Sequence, residues 1–172
     1  MSYWHADLYN FCPRCGGPLE KRLIKAGEPE RLVCKVCEFI FYIDPKLAAI
    51  ALVPLDGGLV MVRRSIEPGY GLWVVPGGFV DAGEPVEETV VRETWEETFL
   101  RVKVVRLLNL YSYQNHRTVV AAYLTQYLAG ELSPGDETLE AQVFGLKEIP
   151  WEKIAFQSTR DAIKDYLKIA NT

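Results

Sequence analysis

Apolar residues beyond residue 45 fall into short runs separated by glycine, proline and polar turns. Residues 48–55 and 59–64 form two such runs around Asp56-Gly57-Gly58, which is the pattern of a β-hairpin. Residues 72–75, 102–113, 118–128 and 141–146 predict further strands. The turn at 114–117 joins the two longest strands, whereas residues 65–71 and 130–138 predict loops. This pattern predicts a sheet-rich domain over residues 45–172.

Two segments of that domain have helical signals instead. Pro85 stands where the first turn of a helix tolerates proline, and the polar segment after it predicts a helix ending near residue 99. Residues 158–161 resemble a capping box, and the apolar residues after it would share one face of a C-terminal helix. Strands and helices together predict an α/β (α+β) fold.

The first 44 residues predict a small metal-binding module. Their four cysteines have the spacing C-x₂-C-x₁₈-C-x₂-C and are Cys12, Cys15, Cys34 and Cys37. Two tight turns of this kind can direct four thiolates at one tetrahedral Zn²⁺. Short strands at residues 19–25, 31–33 and 39–43 would complete a zinc ribbon. The alternative is a pair of redox sites or unpaired thiols, but the stretch lacks the βαβ context of a thioredoxin-like site.

Composition limits the classes of protein that fit. The 172 residues are 49% hydrophobic and 24% charged, which is typical of a globular chain. Nineteen Lys and Arg against 23 Asp and Glu give a net charge of −4, so the chain lacks the basic surface of a general nucleic-acid binder. Charges in the cysteine module nearly balance, which favours a scaffold or homodimer element over nucleic-acid recognition.

The predicted location is cytoplasmic. No apolar run reaches the roughly 18 residues of a membrane span, and the N-terminus lacks the basic and apolar regions of a signal peptide. In a reducing compartment, cysteines serve as thiols or metal ligands rather than as disulfides. Of the two histidines, His116 is predicted to lie at the surface in a hairpin turn, and His5 needs no function.

Candidate chemistry is concentrated on the first predicted helix. At about 100° per residue, Glu93, Glu96 and Glu97 lie on one helical face. Clustered carboxylates suit Mg²⁺ or Mn²⁺ better than zinc, and such metals suit phosphoryl chemistry. The alternative is a solvated acidic face paired with Arg92 and Lys103.

The spacing around this helix resembles the signature of the Nudix family. Gly78, five residues, Glu84, seven residues, and then Arg92-Glu93-x-x-Glu96-Glu97 match its fixed positions. Thr94 replaces an aliphatic residue, and Phe99 replaces a glycine that would end the helix in the left-handed conformation. The resemblance implies a Nudix mixed-sheet α/β/α sandwich after the ribbon.

A four-cysteine ribbon before such a domain resembles the zinc-ribbon Nudix hydrolases. The Ser-Gln-Pro-Trp-Pro-Phe-Pro stretch of the NADH pyrophosphatases is absent. The closer likeness is to ADP-ribose and FAD pyrophosphatases, through residues 71–78, 92–97, 137–140, 144, 148–151 and 154–156. This resemblance implies metal-dependent hydrolysis of a small nucleoside diphosphate derivative, with FAD or ADP-ribose favoured and AMP released. NADH pyrophosphatase activity is the alternative.

The resemblance also implies residue roles at the metal. Glu93, Glu96 and Glu97 would bind Mg²⁺ or Mn²⁺, and the carbonyl of Gly77 would be a further ligand. Glu97 or a nearby carboxylate would lie close to the attacking water. Glu84 would pair with Arg92 and join the loop to the helix.

The resemblance also implies residues that contact the substrate, and each of them could instead have a purely structural role. Glu137 or Glu140 could add a ligand or base, or be a solvated loop carboxylate, and Arg64 could hold a phosphate or lie at the surface. Four aromatic residues could stack on an adenine or flavin or belong to the core; they are Tyr70, Phe79, Tyr111 and Tyr113.

Two other functional classes remain open at this stage. A non-hydrolytic sensor that binds ADP-ribose-like ligands is favoured by Phe99 and opposed by the complete carboxylate set. A ribbon-directed nucleic-acid enzyme, such as a decapping-like protein, is opposed by the acidic composition.

Overall fold

The computed structural model describes residues 9–170. The N-terminal segment and His5 therefore lie outside the described residues. The chain divides into two compact units, Met1–Pro45 and Lys46–Thr172. Among residues 9–170, no helix is long and apolar enough to cross a membrane.

The first unit is built on one small antiparallel sheet. Its strands are β1 (Leu19–Arg22), β2 (Arg31–Cys34) and β3 (Ile40–Phe41), in the order β1-β2-β3. All three were predicted, but β1 and β3 are shorter than expected. Only four apolar or cysteine side chains of the described part are buried here, namely Cys12, Leu32, Val33 and Cys34.

The second unit contains two sheets and two helices. In chain order its elements are β4 (Lys46–Leu52), β5 (Pro54–Leu55), β6 (Gly58–Arg64), β7 (Trp73–Val74), β8 (Gly77–Phe79), α1 (Val86–Thr98), β9 (Arg101–Tyr111), β10 (Thr118–Ala129), β11 (Thr138–Gly145), a 3₁₀ turn (Trp151–Lys153) and α2 (Gln157–Ala170). One sheet has the order β8-β4-β10-β9, and the other has β11-β6-β5 with β7 beside β6. Strands β4 and β10 are parallel, and the remaining pairs are antiparallel.

Strand β4 is buried on both faces, which explains its continuous apolar sequence. Ile50 and Leu52 belong to one core cluster, which includes Ile163 of α2. Ala49 and Ala51 belong to a second cluster, which includes Val90 of α1. Because successive strand residues point to opposite faces, the two helices cover opposite sides of this sheet. The structure thus confirms the predicted mixed sheets with two helices.

The predicted hairpin is also confirmed. Asp56 and Gly57 both have positive φ, at 49° and 76°, and they join β5 to β6. Two positive φ angles in a two-residue loop match the twist of the flanking strands.

Two local features differ from what the sequence pattern indicates. Gly77 and Gly78 stand in a Pro-Gly-Gly segment for which no strand was predicted, but both glycines pair with β4 as part of β8. A side chain at Gly77 would overlap the carbonyl oxygen of Ala49, so only glycine fits this approach. The capping box at residue 158 is also absent, because α2 begins at Gln157 and Ser158 lies inside the helix.

Candidate active site

Helix α1 ends in the left-handed conformation, although Phe99 replaces the glycine that usually adopts it. Phe99 has φ 56° and ψ 15°, the left-handed conformation usually occupied by glycine, and its N–H donates to the Trp95 carbonyl at 2.8 Å. The segment before β11 completes this end of the helix. The N–H groups of Ser133 and Gly135 donate to the carbonyls of Thr98 and Glu97 at 3.2 and 3.1 Å. The chain after β10 thus supplies donors to the last turn.

Arg92 joins the loop before α1 to the carboxylates of the helix. Its Nε and Nη2 donate to the two oxygens of Glu84 at 2.8 and 2.9 Å, which is a bidentate pair. Its Nη1 donates to Glu93 at 2.8 Å and to Glu96 at 3.1 Å. Hydrogen bonds from Arg92, and then from Thr89, lower the pKa of Glu84 to about 2. Glu84 is therefore a fixed anion that orients Arg92.

Glu93 and Glu97 lie against the backbone of β8. The N–H of Gly77 donates to Glu97 Oε2 at 2.9 Å. A Cβ at Gly78 would overlap the Glu93 carboxylate, so glycine is needed for this approach. Glu93 and Glu97 are half-buried, whereas Glu96 is exposed. The loop and the helix face together form a carboxylate-lined surface.

Burial and neighbouring charges perturb this cluster. Burial, together with the negative charges of Glu93 and Glu137, raises the pKa of Glu97 to about 8. Burial also raises the pKa of Glu93. Carboxylates held close together in this way repel one another until a cation offsets their charge. Their oxygen donors and the glycine-lined approach fit a hard divalent cation.

Two more charged residues lie beside this cluster. Arg64 ends β6 opposite Thr138, and the N–H of Ser65 donates to the Glu137 carbonyl at 3.2 Å. The positive charge of Arg64 lowers the pKa of Glu97, while Glu137 raises the pKa of both Glu93 and Glu97. Arg64 at the end of β6 and Glu137 just before β11 thus act electrostatically on the glutamate face. Glu140, by contrast, forms an exposed ion pair with Arg63 at 2.7 Å.

The four aromatic candidates divide into two kinds. Tyr70 and Phe79 are 59% and 51% exposed, and Phe79 lies 4.7 Å from Lys46 Nζ. Tyr111 is buried in the core, and its hydroxyl donates to Asp165 of α2 at 2.8 Å. The Tyr113 hydroxyl likewise donates to Asp161 at 2.7 Å. The last two tyrosines therefore pack β9 and its following turn against α2.

Some neighbours of the site could not be identified from the sequence. Phe156, just before α2, lies 5.1 Å from the Arg64 guanidinium, and Lys46 covers Phe79. Each pair joins residues far apart in the chain, so no local periodicity indicates it.

His116 is exposed in the turn after β9, as predicted.

The four cysteines of the first unit form a second candidate metal site. Their Sγ atoms all lie within 4.8 Å of one another, with individual distances of 3.3, 3.5 and 3.8 Å. Zn–S bonds of about 2.3 Å in a tetrahedron place sulfurs about 3.8 Å apart. Backbone N–H groups of Cys37 and Val36 lower the pKa of Cys34 to about 7, which favours the thiolate. The donor set and spacing fit zinc.

Comparisons with known proteins identify both parts of the chain. The NUDIX domain family matches residues 44–166, and the Nudix N-terminal family matches residues 10–43. An ADP-ribose pyrophosphatase of Methanocaldococcus jannaschii is 36% identical over 91% of this chain and 89% of its own length. The NAD-capped RNA hydrolase NudC of Vibrio parahaemolyticus is 31% identical over 87% of this chain, which spans only 56% of that relative.

A solved structure has the same architecture. A NUDIX hydrolase from Nitrosomonas europaea superposes with a TM-score of 0.87 at 32% identity, covering 93% of this chain and 91% of its own. The family match covers all of α1 and its carboxylates, and hydrolysis with the aid of divalent metals is the chemistry of that family. The chain therefore belongs to the Nudix hydrolases and carries the N-terminal zinc ribbon found in part of that family.

Proposed function

We propose that this enzyme hydrolyses the pyrophosphate bond of ADP-ribose and, as a second substrate, FAD, releasing AMP. One observation carries the proposal: Glu93 and Glu97 meet the glycines of β8 in a surface that also receives Arg64 and Glu137. Such a surface can hold a divalent cation and a phosphate together. Likeness to an ADP-ribose pyrophosphatase over nearly the whole chain supports the substrate class. FAD rests on the sequence resemblance alone.

The metal ligands in this proposal are Glu93, Glu96, Glu97 and the Gly77 carbonyl. A bound Mg²⁺ or Mn²⁺ would neutralise phosphate oxygens and make the attacking water more acidic. Arg92 holds Glu93 and Glu96 in place, and Glu84 in turn fixes Arg92. Glu84 and Arg92 thus serve the reaction by positioning the carboxylates.

The remaining roles belong to residues around this surface. Arg64 binds a phosphate oxygen of the substrate, because its charge lies beside Glu97. Glu97 or Glu137 accepts the proton of the attacking water. Tyr70 and Phe79 are exposed enough to stack on a base, whereas the contacts of Tyr111 and Tyr113 with α2 favour a packing role. Glu140 is assigned a role in holding Arg63.

We also propose that Cys12, Cys15, Cys34 and Cys37 bind one structural Zn²⁺. The clustering of the four Sγ atoms within 4.8 Å of one another supports this assignment. Because few apolar side chains are buried in this unit, a metal would supply much of its stability.

NADH hydrolysis is the second candidate function. It is favoured by relatives named NAD-capped RNA hydrolase NudC and by a mouse NAD(P)H pyrophosphatase at 30% identity. The chain spans 56% and 39% of the relatives cited here, so their activities rest on longer proteins. The greater coverage of the ADP-ribose pyrophosphatase favours that substrate.

A substrate panel tests the proposal. The values of kcat/KM for ADP-ribose, FAD, NADH and dGTP would be compared with Mg²⁺ and with Mn²⁺, reading released AMP or dGMP. We expect ADP-ribose or FAD to exceed NADH and dGTP. A tenfold preference for NADH or dGTP would overturn the substrate assignment and leave the Nudix chemistry intact.

The role of the helix is tested by Glu97→Gln, which keeps size and removes charge. We expect a loss of several orders of magnitude in kcat, because a metal ligand is removed. Glu88→Gln is the matched control, since Glu88 is an exposed carboxylate of the same helix. Near-normal turnover of folded Glu97→Gln would contradict the assignment.

A further inference from the structure

Arg64 is held unusually firmly for a charged residue at the end of a strand. Its backbone N–H donates to the Leu72 carbonyl at 2.9 Å, and its carbonyl accepts from the Gly71 N–H at 2.9 Å. Its side-chain Nε donates to the Pro68 carbonyl at 2.9 Å. The loop after β6 therefore folds back over the residue from which it starts.

The Arg64 guanidinium lies over an aromatic ring. The Arg64 Cζ lies 5.1 Å from the centroid of Phe156, and both residues are half-buried. Gly69, at φ +87°, closes the remaining gap: a Cβ there would lie 3.0 Å from the Ala155 Cβ and 3.6 Å from Arg64 Cδ. The loop and the segment before α2 thus enclose the arginine from two sides.

These contacts restrict which atoms of Arg64 can meet a ligand. Nε donates a hydrogen bond to the Pro68 carbonyl, and the guanidinium carbon lies over the Phe156 ring. A phosphate would therefore be bound through Nη1 and Nη2, which form a fork suited to two oxygens. An arginine whose rotamer is already fixed loses less conformational entropy when it binds.

We propose that Phe156 is a positioning residue, which stacks on Arg64 and orients its Nη atoms toward the substrate pyrophosphate. The inference rests on the proposed function in one respect, namely that Arg64 binds a substrate phosphate. It adds a determinant from the second half of the chain, outside the glutamate helix. The Pro68 carbonyl is the second support of the same guanidinium.

The test measures anion binding separately from catalysis. The probe is imidodiphosphate, a P–N–P analogue of pyrophosphate, titrated into the full-length protein by calorimetry at saturating Mg²⁺. Phe156→Leu removes the ring and keeps an apolar side chain, whereas Phe156→Tyr keeps the ring face. Phe144→Leu is the packing control, because Phe144 makes an edge contact with Trp73 in the core instead.

We expect Phe156→Leu to weaken binding by about tenfold, which is the scale of a partly desolvated cation–π contact. Phe156→Tyr should bind within about twofold of wild type, and Phe144→Leu should lower stability without weakening binding. In an Arg64→Gln background, Phe156→Leu should add no further loss, because the ring then has no cation to hold. Should Phe156→Leu fail to fold, Phe156→Met supplies a flexible apolar substitute of similar size.

Several results would overturn the proposal. Unchanged binding by Phe156→Leu would do so, as would equal losses in Phe156→Tyr and Phe156→Leu. Additive losses in the Arg64→Gln background, or no imidodiphosphate binding by wild type, would show that Arg64 and Phe156 do not form an anion subsite. Binding with the expected pattern but no hydrolysis of any panel substrate would overturn the proposed function and leave this inference standing.

Discussion

Phe99 and Glu38 occupy backbone conformations in which glycine is usual. Both have φ 56°, and each ends a tight structure: Phe99 ends α1, and Glu38 follows the second cysteine turn. The first cysteine turn has Gly16 at the equivalent place, with φ 74°. Phe99 therefore adopts the left-handed conformation expected of the glycine that stands here in the Nudix signature. Phe99 contacts Trp95 edge-to-face at 5.6 Å, which offsets part of the backbone strain.

We predict that Phe99→Gly is more stable than Phe99→Ala by about 1 kcal/mol. Both variants lose the Trp95 contact and keep the left-handed conformation, which is unfavourable for alanine but not for glycine. At this chain length the difference corresponds to a Tm gap of about 2–4 °C, measurable by calorimetry. An alanine variant as stable as the glycine variant would mean that residue 99 carries no strain.

Gly78→Ala tests the approach of β8 to the carboxylates. The added methyl would overlap the Glu93 carboxylate, which is the flexible end of a side chain and can move away. We therefore predict a loss of about a hundredfold in kcat/KM, with a Tm close to that of wild type. Steady-state kinetics and thermal unfolding of the same preparation measure both. Full activity would show that the position of Glu93 is not critical.

At the scale of elements, α1 is completed by residues far away in sequence. Its last carbonyls accept hydrogen bonds from Ser133 and Gly135, and its middle turn is linked to the preceding loop through Arg92 and Glu84. Because like charges three and four residues apart repel one another, the acidic sequence of α1 does little by itself to stabilise the helix. The loop between β10 and β11 and the Glu84–Arg92 pair therefore do much to hold the metal-binding face in place.

Gly135→Ala should disturb this arrangement through the backbone. A methyl group there would overlap the carbonyl of Glu96, which cannot move without distorting α1. We predict destabilisation by about 1–3 kcal/mol together with reduced activity. Ser133→Ala is the control, because it keeps the N–H that bonds to Thr98. Equal stability of the two variants would contradict a backbone role for this loop.

Local pattern was sufficient to predict most elements and the glutamate helix. The hairpin at Asp56-Gly57, the long strands β9 and β10, and the shared face of Glu93, Glu96 and Glu97 all depend on residues close in sequence. The pairing of Gly77 and Gly78 with β4 was missed because glycine has a low strand propensity. Glycine is required here only because the backbone passes close to Ala49, which is a tertiary contact. The contact of Phe156 with Arg64 was missed for a related reason, since tertiary packing alone brings them together.

At the scale of the whole molecule, the two units differ in what stabilises them. The unit at Lys46–Thr172 has two large apolar clusters, whereas the described part of the first unit buries only two aliphatic side chains fully, Leu32 and Val33. A core that small does not offset the conformational entropy of ordering its chain. Under the zinc assignment proposed above, metal binding by the four thiolates would therefore contribute much of the folding free energy of the ribbon.

Zinc removal should consequently unfold one unit and spare the other. We predict one zinc per chain by elemental analysis of protein purified without added metal. After treatment with a strong chelator, followed by removal of the metal, amide hydrogen exchange should become fast in residues 10–43. Exchange should change little in β4, β6 and β10, whose core contains no cysteine.

Cys15→Ser, which removes one ligand, should have the same regional effect without a chelator. The control is a chelator that binds calcium but is too weak to remove the zinc, and it should leave exchange in the ribbon slow. A ribbon that keeps its slow exchange after complete zinc loss would contradict the metal's role, and so would a Cys12–Cys15 disulfide in freshly purified protein.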